Sequence, residues 1–210
     1  MAPADHTWSA TSLEDAPTTP GVPYRRTFAK TFDVLVGQDN NQQLFPVHHK
    51  VLVKRSGFFR KARNSRWNTD KSLPVDLHDV DLDLFDMYLH CVYLKKVPEL
   101  PAIENVDEDD GDTELRLNTL VNLYIVADRF LDEATKTLVI EEIAFISWTE
   151  NHPQAGTINY VYRNTVEGSS LRDALVKHFV NEATALPDGA LPNAFLRSVA
   201  GMQMSARCND

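Results

Sequence analysis

The chain has 210 residues, a formal net charge of -9 and two cysteines. That length lets one ordinary domain bury most of its apolar surface, so the fold needs neither a disulfide nor a metal staple. The negative charge argues against general attraction to nucleic-acid phosphates, and Cys91 and Cys208 do not make the framework of a secreted scaffold, so a reduced cytoplasmic or nuclear setting is expected.

Residues 1–23 scatter Pro3, Pro17, Pro20 and Pro23 among Ser, Thr and Asp with no helical or strand period, which predicts a disordered leader. The leader lacks the apolar core of a signal peptide, and no apolar run in the chain approaches the roughly 20 residues that cross a bilayer. No membrane association is therefore expected.

Folded structure is expected from Tyr24. Thr31 to Gly37 is β-branched and aromatic, breaks at GQDNNQQ and resumes an extended pattern at LFPV, the signature of a β-hairpin. The next segment, HHKVLVKRS, predicts a short helix with Val51 and Leu52 inward and Lys50, Lys54 and Arg55 outward, after which Ser56 caps a second short helix carrying Phe58 and Phe59. SLPVDL reads as a short strand at an edge or beginning with Pro74. Asp79 and Asp81 offer N-caps to a helix in which Phe85, Tyr88, Leu89 and Val92 recur at helical spacing, backed by Leu84, Met87 and Cys91. An acidic loop over 99–114 follows. A second long helix is predicted from Leu115 with Leu117, Leu120, Val121 and Tyr124 on one face, and a third with Val139, Ile143 and Ile146 in phase. These elements predict an α+β fold, a helical cluster capped by a small mixed sheet.

Beyond residue 148 the chain changes character, and 149–210 reads as a partly helical extension. TINYVYRN is aromatic and β-branched. In EGSSLRDALVKHFV, Ser170 and Asp173 have capping-box spacing and Leu171, Leu175 and Phe179 share a face, while Pro192 is placed to start a last helix through Phe195, Leu196 and Val199.

The order of these elements, with Asp33-Val34, Phe45, His48, Val51-Leu52, Ser56, Phe59, Val80-Asp81, Phe85, Tyr93, Leu123, Ala127-Asp128 and Leu131, resembles the BTB/POZ family over about Thr31 to Ile146. The downstream run from Tyr160 through Tyr162 to Val176 is similar to an extension of fungal members. The resemblance implies a non-enzymatic interaction module over 24–148 that self-associates, docks on a cullin-type ubiquitin-ligase scaffold as an adaptor, or serves as a structural homo-oligomer. It implies partner-binding positions at Asp33, His49 and Lys50 in a dimer groove, with a titratable residue at position 49 where Arg or Lys is usual. Val97 and Glu99 are similar to a hydrophobic-x-acidic contact used by some cullin adaptors. Family members place Tyr-Thr-Gly where this chain has Tyr93-Leu94-Lys95.

Chemistry is not expected. Adjacent helical residues diverge by about 100 degrees, so His48 and His49 do not face one metal. His48 is expected to be half-buried and satisfied by backbone, with His49 more exposed. Ser169-Ser170 lacks the glycine-flanked elbow of a nucleophilic serine, and no phosphate-cradling glycine loop occurs, so neither catalysis nor a cofactor is predicted. The basic run Lys50, Lys54, Arg55, Arg60, Lys61, Arg63 and Arg66 reads as a solvated helix face rather than a nucleic-acid surface. Protein partners are expected instead.

Overall fold

The computed structural model describes residues 30–64, 73–99, 111–149, 152–182 and 185–207. The expected leader and residues 100–110 of the expected acidic loop lie outside them.

β1 (Thr31–Val36) alternates exposed and buried residues, so Phe32, Val34 and Val36 enter the core while Thr31 and Asp33 face outward. It turns at Gly37, whose φ of 92° lies in the left-handed region and where a side chain would strike the Asn41 carbonyl. β2 (Gln43–His48) returns antiparallel with Thr31 opposite His48 and Asp33 opposite Pro46. The short β3 (Val75–Leu77) runs parallel to β1 on its other side, giving the order β2-β1-β3 and putting the strand after Pro74 at an edge.

Between the strands lie α1 (His49–Arg55) and α2 (Gly57–Ala62), separated by Ser56, whose hydroxyl accepts the Phe59 N–H as expected and donates to the Phe130 carbonyl. α3 (Leu82–Leu94) starts at Asp81, which accepts from the N–H groups of Asp83 and Leu84. Asp79, the other candidate cap, instead forms a paired hydrogen bond with Arg129 at 2.7 and 2.8 Å.

α4 (Gly111–Arg129) begins four residues before the expected Leu115. Glu114 is therefore a first-turn helix residue, where the amide dipoles favour negative charge. α4 joins α5 (Glu133–Thr149) through Leu131, a non-glycine residue at φ 54°. Phe59, Phe85, Tyr88 and Phe130 pack at the centre of the core, with the Phe130 ring 4.9 to 6.3 Å from the other three in angled contacts. The small mixed sheet covers one side of this helical cluster.

The C-terminal part is helical throughout α6 (Ala155–Asn164), α7 (Ser170–Asn181) and α8 (Asn193–Arg207). α6 contains the β-branched and aromatic TINYVYRN, which is helical because Thr157, Ile158 and Val161 fall on one buried face. No capping box forms at α7. Its N-cap is Ser169, and both Ser169 and Ser170 place their hydroxyls on the Tyr124 hydroxyl of α4, at 3.1 and 2.9 Å. Arg172 fixes the α6–α7 turn by bonding to Thr165 and the Tyr162 carbonyl while lying over the Tyr162 ring. Val161, Leu171 and Leu175 join the principal core, whereas Ile158, Val176, Phe179, Phe195 and Val199 form a smaller one. The expected helix through Phe195, Leu196 and Val199 forms as α8, with Phe195 and Val199 buried and Leu196 at the surface.

Candidate functional site

The His49 N–H bonds to the Lys30 carbonyl, which fixes the alternation along β2: residues 43, 45 and 47 bond to β1, and 44, 46 and 48 turn their backbone groups to the free edge. Pro46 has no N–H to offer there. The His48 N–H is taken by the Tyr93 hydroxyl at 3.0 Å, and the same hydroxyl lies 3.0 Å from the His48 ring Nδ1. A hydroxyl that accepts from the backbone keeps its own proton to donate, so Tyr93 serves both groups. His48 is half-buried as expected, but its ring finds a side-chain partner from the end of α3.

Asp33 is exposed on the outer face of the sheet, on the same side as Thr31, Pro46 and His48. His49 is half-buried with its ring edge-on to Phe32 at 6.0 Å, on the core side. The register thus gives Asp33 the neighbour His48 on its own face and sets His49 toward the other. Lys50 is exposed on α1, in line with Lys54.

Arg55 departs from its expected outward position. Its guanidinium turns in, donating to Asp132 at 3.2 Å and to the Thr135 hydroxyl at 2.9 Å. The Asp132 side chain is 1% exposed and also accepts from the Thr135 N–H, the Thr135 hydroxyl and the Tyr88 hydroxyl. Burial and then the adjacent carboxylate hold the Tyr88 phenol far above its ordinary pKa, and burial pushes the nearby Cys91 thiol up to about 11. A thiol in that condition is an inert core group. This polar knot ties α1, α3 and the α4–α5 turn together. The Leu131-Asp132 spacing before Thr135 was a readable helix-cap signal; the Arg55 partner, 77 residues away, was not.

Val97 and Glu99 lie together. With Lys95, Lys96, Pro98, Leu138, Glu141 and Glu142 they line a cleft of about 320 Å³ between the end of α3 and α5. Lys95 opens it in a left-handed conformation, its N–H closing α3 on the Cys91 carbonyl. Its lining combines the apolar Val97 and Leu138 with two lysines and three carboxylates.

A histidine pair escaped the sequence reading. His152 Nδ1 and His178 Nε2 are 2.9 Å apart where the α5–α6 connection meets α7. Among the described residues no three His, Cys, Asp or Glu side chains are grouped to hold a metal ion, and no helix is long and apolar enough to cross a membrane.

No curated protein matches the chain. The small mixed sheet, the two short helices after the hairpin and the capped α3 all fall within a segment that compares with a known family: residues 25–110 match the family model described as BTB/POZ domain.

Proposed function

We propose that the chain is a non-enzymatic protein–protein interaction module of BTB/POZ type, extended by C-terminal helices of the kind found in fungal members. The observation that carries the reading is the match over residues 25–110 on a fold of the corresponding α+β class. The charged and polar residues of the hairpin's outer face support it, since they stand outward on a strand pair whose other face is fixed in the core.

Self-association is the first mode. Asp33, His49 and Lys50 are its candidate contacts, with Asp33 and His49 contributing to different faces of the sheet margin. Multi-angle light scattering tests it: the wild-type chain is expected to run as a dimer at micromolar concentration and Asp33→Asn to shift toward monomer. If Asp33 is buried and paired across the interface, the loss is on the order of 3 to 5 kcal/mol. A wild-type monomer at every concentration removes self-association and leaves recruitment of a different protein.

The cleft beside α3 favours a second reading, a substrate adaptor for a cullin-based ubiquitin ligase. Its support is that Val97 and Glu99 share one surface with the apolar Leu138.

A further inference from the structure

Between Asp39 and Asp70 the chain carries Lys50, Lys54, Arg55, Arg60, Lys61, Arg63 and Arg66 and no acidic residue, within a protein of formal net charge -9. Arg66 lies outside the described residues, and the structure separates the other six cations into two sets. Arg55 is neutralised by Asp132, and Arg63 bonds to the Leu73 carbonyl and lies over the Phe32 ring. Lys50, Lys54, Arg60 and Lys61 are exposed.

Lys50, Lys54 and Arg60 of the exposed set lie next to one another. Lys50 and Lys54 are four residues apart on α1, one above the other on the same face. Arg60 folds across the end of α1 to bond the Val53 and Lys54 carbonyls, which sets its guanidinium beside Lys54. Opposite this row, Leu52 and Phe59 are fully buried. Among the described residues no acid pairs with Lys50 or Lys54; unpaired like charges at i, i+4 destabilise a helix, and ordinary surfaces intersperse both signs.

We infer that this row is a docking surface for a short extended acidic segment of a partner protein; the inference rests on the interaction-module reading and names the chemistry of one partner. The spacing matches: Lys50 and Lys54 are about 6 Å apart along the helix axis, and alternate residues on one side of an extended chain are about 6.6 Å apart. A peptide with Glu or Asp at every second position therefore places its carboxylates in step with the lysines. A long polyanion fits less well, because the row spans little more than the two short helices and beyond it the acidic remainder of the protein repels further phosphates.

The test is fluorescence anisotropy of the full chain with a labelled peptide carrying Glu at alternate positions, at about 50 mM salt, where exposed charges are weakly screened. Lys50→Glu with Lys54→Glu is expected to weaken binding by about tenfold or more, while Lys177→Glu, an exposed control on α7, leaves it within about twofold. Circular dichroism confirms that both variants fold. Absence of wild-type binding, equal weakening by the control, or tighter binding of a single-stranded oligonucleotide of the same net charge overturns the proposal. Light scattering and partner capture on the wild-type chain separate the outcomes: a wild-type chain that self-associates or recruits a partner but ignores the peptide loses this inference and keeps the module reading.

Discussion

Asp132 and Asp79 are both carboxylates bonded to an arginine, and their surroundings give them different weights. Asp132 is buried with Arg55, Thr135 and Tyr88 around it, so Asp132→Ala leaves a desolvated guanidinium, a helix N–H and two hydroxyls without their acceptor. Truncating one member of a buried pair costs about 3 to 5 kcal/mol, and that loss is expected in the denaturant midpoint. The Asp79–Arg129 pair is about half exposed on both sides. Its hydrogen bonds to Arg129 hold the Asp79 carboxyl below the usual range, so its small contribution is present at neutral pH and lost as acid protonates the carboxylate. Solvent screening keeps it within about 1 kcal/mol, and Asp79→Ala should barely move the same midpoint. An equal effect of the two substitutions contradicts this ordering. Phe85→Ala belongs with the large losses: the ring is fully buried, 5.0 Å from Phe45, and emptying it should cost about 3 to 5 kcal/mol by urea unfolding.

At the scale of elements, the hairpin and α3 to α5 were legible because one face of each is apolar at the right period, and burial of Val34, Phe85, Leu117 and Val139 follows that pattern. Start and stop positions were less so. The Ser170–Asp173 spacing satisfies the capping-box rule, yet the serines bond to Tyr124, a residue that sequence places 45 and 46 positions away. The candidate site divided the same way: Asp33 and Lys50 were legible as outward residues of known elements, whereas the Tyr93–His48 contact depends on how α3 crosses the sheet.

The histidine pair gives α7 a pH response. Burial, and then the neighbouring His152, lower the His178 pKa, with Glu182 opposing. A histidine whose folded pKa lies below its unfolded value of about 6.5 supports the fold in its neutral form, and that support falls away as pH drops below about 6.5. His178 packs edge-on to Phe179, and Phe179 meets Phe195 of α8 in the same way, so the loss should reach α8. Hydrogen exchange, corrected for intrinsic rates, should show α7 and α8 losing protection relative to α4 between pH 7.5 and 5.5. An unchanged ratio rejects this coupling.

Across the whole molecule, the segment matching BTB/POZ ends at residue 110, while the core it encloses is completed by α4 to α7. The aromatic centre shows the dependence: Phe59 and Phe85 come from inside the matched segment and Phe130 from beyond it. Helices outside the match are thus structural partners of the module's own core. The free side of β2 bears on which backbone contacts the sheet can add. Of the three residues whose backbone faces that edge, Pro46 has no donor and His48 has given its donor to Tyr93, which leaves Leu44. An intact edge lets each arriving strand create the next acceptor, a route to open-ended polymers. With two of the three N–H donors on this side gone, an arriving strand finds Leu44 as the one donor along β2, and strand-by-strand growth here gains few backbone bonds.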